Sequence, residues 1–229
     1  SNIGTVLPEL TLLDLGFLFP DSDVADKVLS GPVGKKICAV AANKAVTPLV
    51  FVRYSFRNPF VSKDINSIND LNGVKIRASS SPMHMALLKH MGMNPVPMPG
   101  SEVYTGLQQG VIDGFDVDSP FGVNSKWYEA AKSMALINHT YCAQILYTST
   151  KWWNSIPAED KPVFEEAVKV FVNAQEKNQL EDERRAEEAF KKAGLKIYKP
   201  TEAELAQLRE QCKDIYKQFP KIDVELLNE

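Results

Sequence analysis

The segment PAEDKPVFEEAVKVFVNAQEKNQLEDERRAEEAFKKA, from Pro157 to Ala193, constrains the fold more than any other stretch of the chain. After Pro162 it contains no proline or glycine until Gly194, so it reads as one helix of about 37 residues, roughly 55 Å long at 1.5 Å per residue. That exceeds the width of one small domain. Its first part carries an apolar stripe at Phe164, Val168 and Phe171, whereas from Gln175 to Glu188 only Leu180 and Ala186 are apolar. A helix that is polar all round is expected where it bridges domains through solvent, supported by spaced ion pairs. Glu181 with Arg185, Glu187 with Lys191 and Glu188 with Lys192 stand in the favoured i,i+4 order. No heptad seam is sustained, which argues against a coiled coil. The segment therefore predicts two lobes joined along a long helix.

The rest of the chain alternates strand and helix. VKIR reads as a strand, Ser81 and Pro82 cap the helix MHMALLKHM, and Gly92 ends it. NPVPMP is a constrained extended segment, Ser101 is expected to cap SEVYTGLQQ, and Gly110 stops that helix before the strand VIDGFDV. QILYTST and LKIYKP are further strands, and Thr201 with Glu204 forms a capping box. The last ~15 residues are expected to pack on a lobe surface. This alternation favours a mainly parallel sheet with helices on its faces.

Composition removes several function classes. Lys+Arg number 26 against Asp+Glu 29, a net charge of -3 with both signs spread along the chain, so no basic face argues for nucleic acid. Cys38, Cys142 and Cys212 are odd in number and far apart, which suits neither a disulfide framework nor a zinc site. His84, His90 and His139 lack metal-ligand spacing, the methionines from Met83 to Met98 read as core fillers, and no Gly-rich phosphate loop occurs. No cofactor and no metal is expected. No apolar run reaches the ~18 residues of a membrane span, and no signal peptide opens the chain. Ser1 and Asn2 resemble a scar of tag cleavage, and the sequence reads as if it begins within a longer protein.

LNGVKIRASSS, from Leu71 to Ser81, ends a buried-type strand on Arg77. A guanidinium stays protonated at any working pH and is almost never fully buried without a partner, so either a protein carboxylate or a ligand must answer it. Asp113 and Asp116 could be paired catalytic carboxylates, but no nucleophile or metal set accompanies them, and they read as turn and structural acids.

The stretch DLNGVKIRASSSPMHMALLKHMGMNPVPMPGSEVYTGLQQGVIDGFDVDSP, followed by KWYEAAK and by Asn138 with His139, resembles the solute-binding proteins of TRAP transporters, the tripartite ATP-independent periplasmic systems. LPELTLLDLGFLFPDSDVADKVL upstream is similar to the segment before the lobe crossover in that family. The resemblance implies an α/β, two-lobed periplasmic binding protein fold with a long lobe-spanning helix. On that pattern residues 1–54 and 143–182 form lobe one, residues 55–142 and 183–229 form lobe two, and the helix of about 157–193 spans both.

The resemblance further implies that Arg77 pairs with the carboxylate of an organic acid and that Arg57, about twenty residues earlier, is a second cleft arginine. The planar fork of arginine fits a carboxylate bidentately, so one fixed residue can select a class of acids. Two family positions are altered: Val117, followed by Asp118, stands where many members bind ligand through asparagine, and Gly100 stands where an aromatic is common. These changes imply a roomier, differently polar pocket. About 70 to 80 residues that usually precede PELTLLDL are missing, so lobe one is expected to be incomplete, self-association possible and acid binding weak. The expected function is non-enzymatic capture of a small organic acid in the periplasm and its delivery to a TRAP membrane permease. The alternatives are an effector-binding sensory domain, or an α/β enzyme acting on a carboxylate.

Overall fold

The computed structural model describes residues 7–42 and 45–219. Ser1 and Asn2, and the final residues from 220 onward, lie outside the described part.

FRNPFV forms β2 (Phe56–Val61), all six residues of which are buried, and the main sheet is built around it. β3 (Lys75–Ala78), β4 (Asn94–Pro97), β5 (Gly114–Asp118), β6 (Ser133–Ala135) and β9 (Lys196–Tyr198) complete the order β4-β3-β5-β2-β6-β9, with β7 (Thr140–Tyr141) also pairing to β2. β3 is parallel to β4 and β5, and β6 to β9, but β2 runs antiparallel to β5, β6 and β7. The sheet is thus mixed where a mainly parallel one was expected. The strand that breaks the pattern follows β1 (Val46–Val52) after only three residues, without the helical crossover that parallel neighbours need. β1 pairs antiparallel with β8 (Gln144–Ser149) in a separate two-stranded sheet, from Val46 opposite Ser149 to Val52 opposite Gln144. The chain therefore passes between the two sheets twice, near residues 53–55 and 142–143.

Period-two alternation divides the main sheet into two apolar faces. Ile76 and Ala78 pack with Met83, Leu87 and Leu88 of α3 (Pro82–His90), and with Leu10, Leu12 and Leu13 of an early 3-10 turn. On the opposite face Phe60, Phe115, Val117 and Trp127 pack against Ala186 and Phe190. Ser81 caps α3 through the backbone amide of His84, with Pro82 in the first turn, as the sequence predicts. Asp21 caps α1 (Ser22–Ser30), which α2 (Pro32–Ala42) follows. Ser101 provides no side-chain cap: Gly100–Glu102 is a 3-10 turn, and α4 (Val103–Gln108) begins after it. Asp118 caps α5 (Ser119–Asn124), Ser149 caps α6 (Thr150–Ser155), and Thr201 with Glu204 closes a full capping box on α8 (Glu202–Cys212).

The long helix is continuous. α7 spans Lys161–Ala193, 33 residues with Pro162 in its first turn and Gly194 as a left-handed stop at φ 70°. It starts four residues later than expected, because residues 157–160 close a turn from the Asp160 amide to the Pro157 carbonyl. In the polar middle Gln179 and Ala186 are buried, and Gln175 Nε2 donates to the Arg53 carbonyl at 2.7 Å. Arg185 meets Glu181 at 3.0 Å in the expected pairing, and Arg184 links Glu181 to Glu188. The apolar stripe of the first half is only partly covered: Phe164 meets Trp152 edge-on yet is 36% exposed, and Phe171 is 45% exposed.

Candidate ligand-binding site

Arg77 and Arg57 reach the same end of the main sheet from different strands. Arg77 is in register with Phe115 on β5, and Arg57 on β2 stands opposite Asp118. Arg57 is answered by a protein acid. Asp116, fully buried, accepts from Arg57 Nε at 2.7 Å through Oδ1, and its backbone carbonyl accepts from Arg57 Nη2. The remaining Arg57 edge faces Cys142 Sγ, 3.8 Å from Nη1.

The same carboxylate collects two histidines. His84 Nε2 lies 2.9 Å from Oδ1 and His139 Nε2 lies 2.6 Å from Oδ2, with both rings buried and nearly parallel. Their other nitrogens each meet a hydroxyl, Ser79 Oγ and Thr140 Oγ1, both at 2.9 Å. For His84, a neutral ring protonated on Nε2 satisfies both ends, donating to the carboxylate and accepting the hydroxyl proton at Nδ1. Burial, and then the charge of Arg57, bring His84 down to about 4, so it is neutral at pH 7. Burial alone would raise the Asp116 carboxyl, but His139 and Arg57 hold it well below the usual carboxylate range. Asp116 thus organises a buried network as a structural acid, and Asp113 binds the Lys75 amide at 2.9 Å in a turn.

Arg77 is different. Its Nε donates to the Met98 carbonyl at 3.0 Å, and its Cζ lies 5.2 Å from the centre of the Trp127 ring. Among the described residues no carboxylate lies within ion-pairing distance of it, and burial, then the like charge of Arg57, press its pKa downward. Arginine keeps its proton under such pressure, so the half-buried guanidinium presents N–H groups that no protein acid occupies. That arrangement can take a carboxylate edge-on.

The other expected site residues divide between the two sheet faces. Asp118 is buried beside Arg57, accepts from the Phe121 amide at 2.9 Å, and has Tyr54 against it. Burial pushes its carboxyl upward. Val117 is directed into the apolar cluster with Phe115 and Trp127, on the Arg77 face. Gly100 is exposed, and a Cβ built there would lie 3.5 and 3.7 Å from the edge of the Trp127 indole. Sequence reasoning did not foresee the His84–Asp116–His139 cluster, whose members lie 32 and 23 residues apart without periodic relation. The ring of Trp127 lies against Arg77.

An α/β chain whose two sheets are joined by paired crossovers, with one long helix running past both and, at the strand ends, an arginine that meets no carboxylate among the described residues, has the architecture of a two-lobed solute-binding protein. The chain belongs to the family described as bacterial extracellular solute-binding protein, family 7, which matches residues 1–222. It is 31% identical over 200 residues to the 2,3-diketo-L-gulonate-binding periplasmic protein YiaO of Escherichia coli, covering 86% of this chain and 60% of that protein. It is 29% identical over 220 residues to the sialic acid-binding periplasmic protein SiaP of Vibrio cholerae, covering 96% of this chain and 68% of the other. A TRAP periplasmic solute-binding protein of Xanthobacter autotrophicus, solved with β-D-galacturonate, superposes with a TM-score of 0.91 at 30% identity, over 99% of this chain and 76% of that one.

The chain thus spans about 60% of the length of the first curated relatives it matches. The family is extracellular by description and the named relatives are periplasmic, the location expected from the sequence. Among the described residues no helix is long and apolar enough to cross a membrane.

Proposed function

We propose that this chain captures a small organic acid at Arg77 and presents it to a TRAP-type membrane permease. The observation that carries the reading is the half-buried Arg77 guanidinium, which meets no carboxylate among the described residues, while the neighbouring Arg57 has one. A vacant guanidinium fork selects carboxylates, and the nearby Arg57–Asp116 pair adds little net charge to attract a second. A ligand with one carboxylate and several hydroxyls fits best. Asp118 can accept from a hydroxyl beside Tyr54, while Gly100 adds no side chain and no donor. Solved neighbours hold galacturonate and galactonate, acids of that kind.

On this reading the lobes divide at the two crossovers, residues 1–54 with 143–182 against 55–142 with 183–229, and the acid is held between them. The reading is of binding without turnover. Asp116, the strongest acid–base candidate, is already held by Arg57, His84 and His139 and is not available to a substrate proton.

Calorimetry with D-galacturonate, D-glucuronate and neutral D-galactose tests the proposal. Acid binding is expected, galactose binding is not, and Arg77→Ala should weaken acid affinity at least about thirtyfold, since removing one partner of a desolvated charge pair costs roughly 2 to 5 kcal/mol. Equal affinity for galactose, or an unchanged Arg77→Ala protein, would overturn it, and consumption of the acid would overturn the non-enzymatic part.

A further inference from the structure

The contact between Arg77 and Trp127 has a geometry that packing alone does not require. Trp127 is 5% exposed and is held edge-on by two rings, Phe115 with centroids 5.5 Å away at 78° and Phe121 at 5.2 Å and 77°. Arg77 lies over the ring, its Cζ 5.2 Å from the ring centre. The turn that presents it, Trp127–Ala130, opens on Lys126 in the left-handed region at φ 58°. A side-chain-bearing residue adopts that conformation at a cost, and it persists where surrounding structure holds it.

A second, separate observation comes from Gly100. A side chain there would begin 3.5 Å from the edge of the indole, and the glycine places none against it. No neighbour from that turn competes for the indole, and the Met98 carbonyl fixes the Nε side of the guanidinium.

We propose that Trp127 is a positioning residue of the acid site: its indole face fixes the plane in which Arg77 presents its two outer nitrogens. A guanidinium stacked on an aromatic face keeps its in-plane N–H groups free, so the stack and the bidentate carboxylate bond do not compete. The indole also excludes water from one face of the cation, which strengthens the bond at the edge. Lysine at position 77 could not use the platform in the same way, since an ammonium has no plane to orient. The inference rests on the reading of Arg77 as the acid-binding residue, and the test separates the two.

The test uses the full chain and D-galacturonate as the probe, with affinity measured by calorimetry for Trp127→Leu, Trp127→Phe, Arg77→Ala and the double variant Trp127→Leu/Arg77→Ala. Trp127→Leu should lose about three- to thirtyfold in affinity, the range of a partly to fully desolvated cation–aromatic contact. Trp127→Phe, which keeps a ring, should stay within about threefold of the parent. Trp127→Leu should have no further effect once Arg77 is gone, because a positioning role acts only through Arg77. A general loosening of the fold would instead weaken both backgrounds alike, and that outcome would overturn the proposal.

Should Trp127→Leu fail to fold, a protein carrying Trp152→Phe and Trp153→Phe keeps Trp127 as its sole tryptophan. Its emission should change on addition of galacturonate and not of galactose, because the acid neutralises the cation lying on the ring. Emission that ignores a bound acid overturns the role of Trp127 while leaving Arg77 intact. Acid affinity that is indifferent to Arg77→Ala overturns the site itself, and the Trp127 proposal with it.

Discussion

Asp116 illustrates how a buried charge can be structural and still shape a binding site. It engages Arg57, His84 and His139, whereas Arg77 meets no carboxylate among the described residues. Replacing Asp116 with Asn should destabilise the protein by about 3–5 kcal/mol, because Arg57 would stay buried without its anion. Denaturant unfolding at pH 7 checks this. The same cluster sets a pH dependence. His84 titrates at about 4 when folded against 6.5 when free, so between those values the unfolded chain binds the extra proton and stability falls as pH falls. The loss is on the order of 3 kcal/mol when complete. Asp116, depressed below 3.8, adds a further loss only beneath that pH. Unfolding free energies from pH 7 to 4 should therefore decline in the parent and flatten in His84→Gln, and a flat parent profile would refute the account. At this scale Arg77 was legible, because a charge ending an apolar strand poses its own question. The two histidines were not, because their meeting depends on three elements converging on one carboxylate.

At the scale of elements, α7 was the most legible part of the chain, since helical continuity and its glycine stop are local properties. Gly194 sits at φ 70° with nothing within 4 Å of a built Cβ, so Gly194→Ala tests conformation alone. It should cost roughly 1–2 kcal/mol without changing acid affinity, as read by thermal unfolding beside calorimetry. Thr201→Ala, which opens the capping box of α8, should cost about 1 kcal/mol. What the helix touches was less legible. The stripe at Phe164 and Phe171 signals burial by its periodicity, yet it stays partly exposed, while the polar residue Gln179 is buried. Periodicity states which side of a helix is apolar and not whether a neighbour covers it. The direction of β2 was hidden for a related reason: a six-residue strand reads the same whether its neighbours run with it or against it.

For the molecule as a whole, part of the exposed apolar surface lies beside the small sheet. Among the described residues β1 pairs only with β8, and a groove of about 640 Å³ runs along Thr47–Val50, bordered by Trp153 and Val168. Val163, Phe171, Trp152 and Tyr147 are exposed nearby. A strand edge that no described residue pairs, next to apolar side chains, can recruit a partner, so this 229-residue chain is expected to self-associate with rising concentration. Light scattering should show the mass rise, and Val163→Glu/Phe171→Glu should suppress it. A constant monomer mass in the parent would remove this expectation. The 33-residue helix has a mechanical consequence as well. Its C-terminal half is clamped by Ala186 and Phe190 against the main sheet, while its start lies under Trp152 and Trp153. Taking Gln179 as the fulcrum, the stiff rod reaches about 27 Å to its start, so a tilt of about ten degrees there sweeps the far end through roughly 5 Å. A small rotation at the clamped end is thereby geared up into a displacement large enough for a pair of spin labels to read.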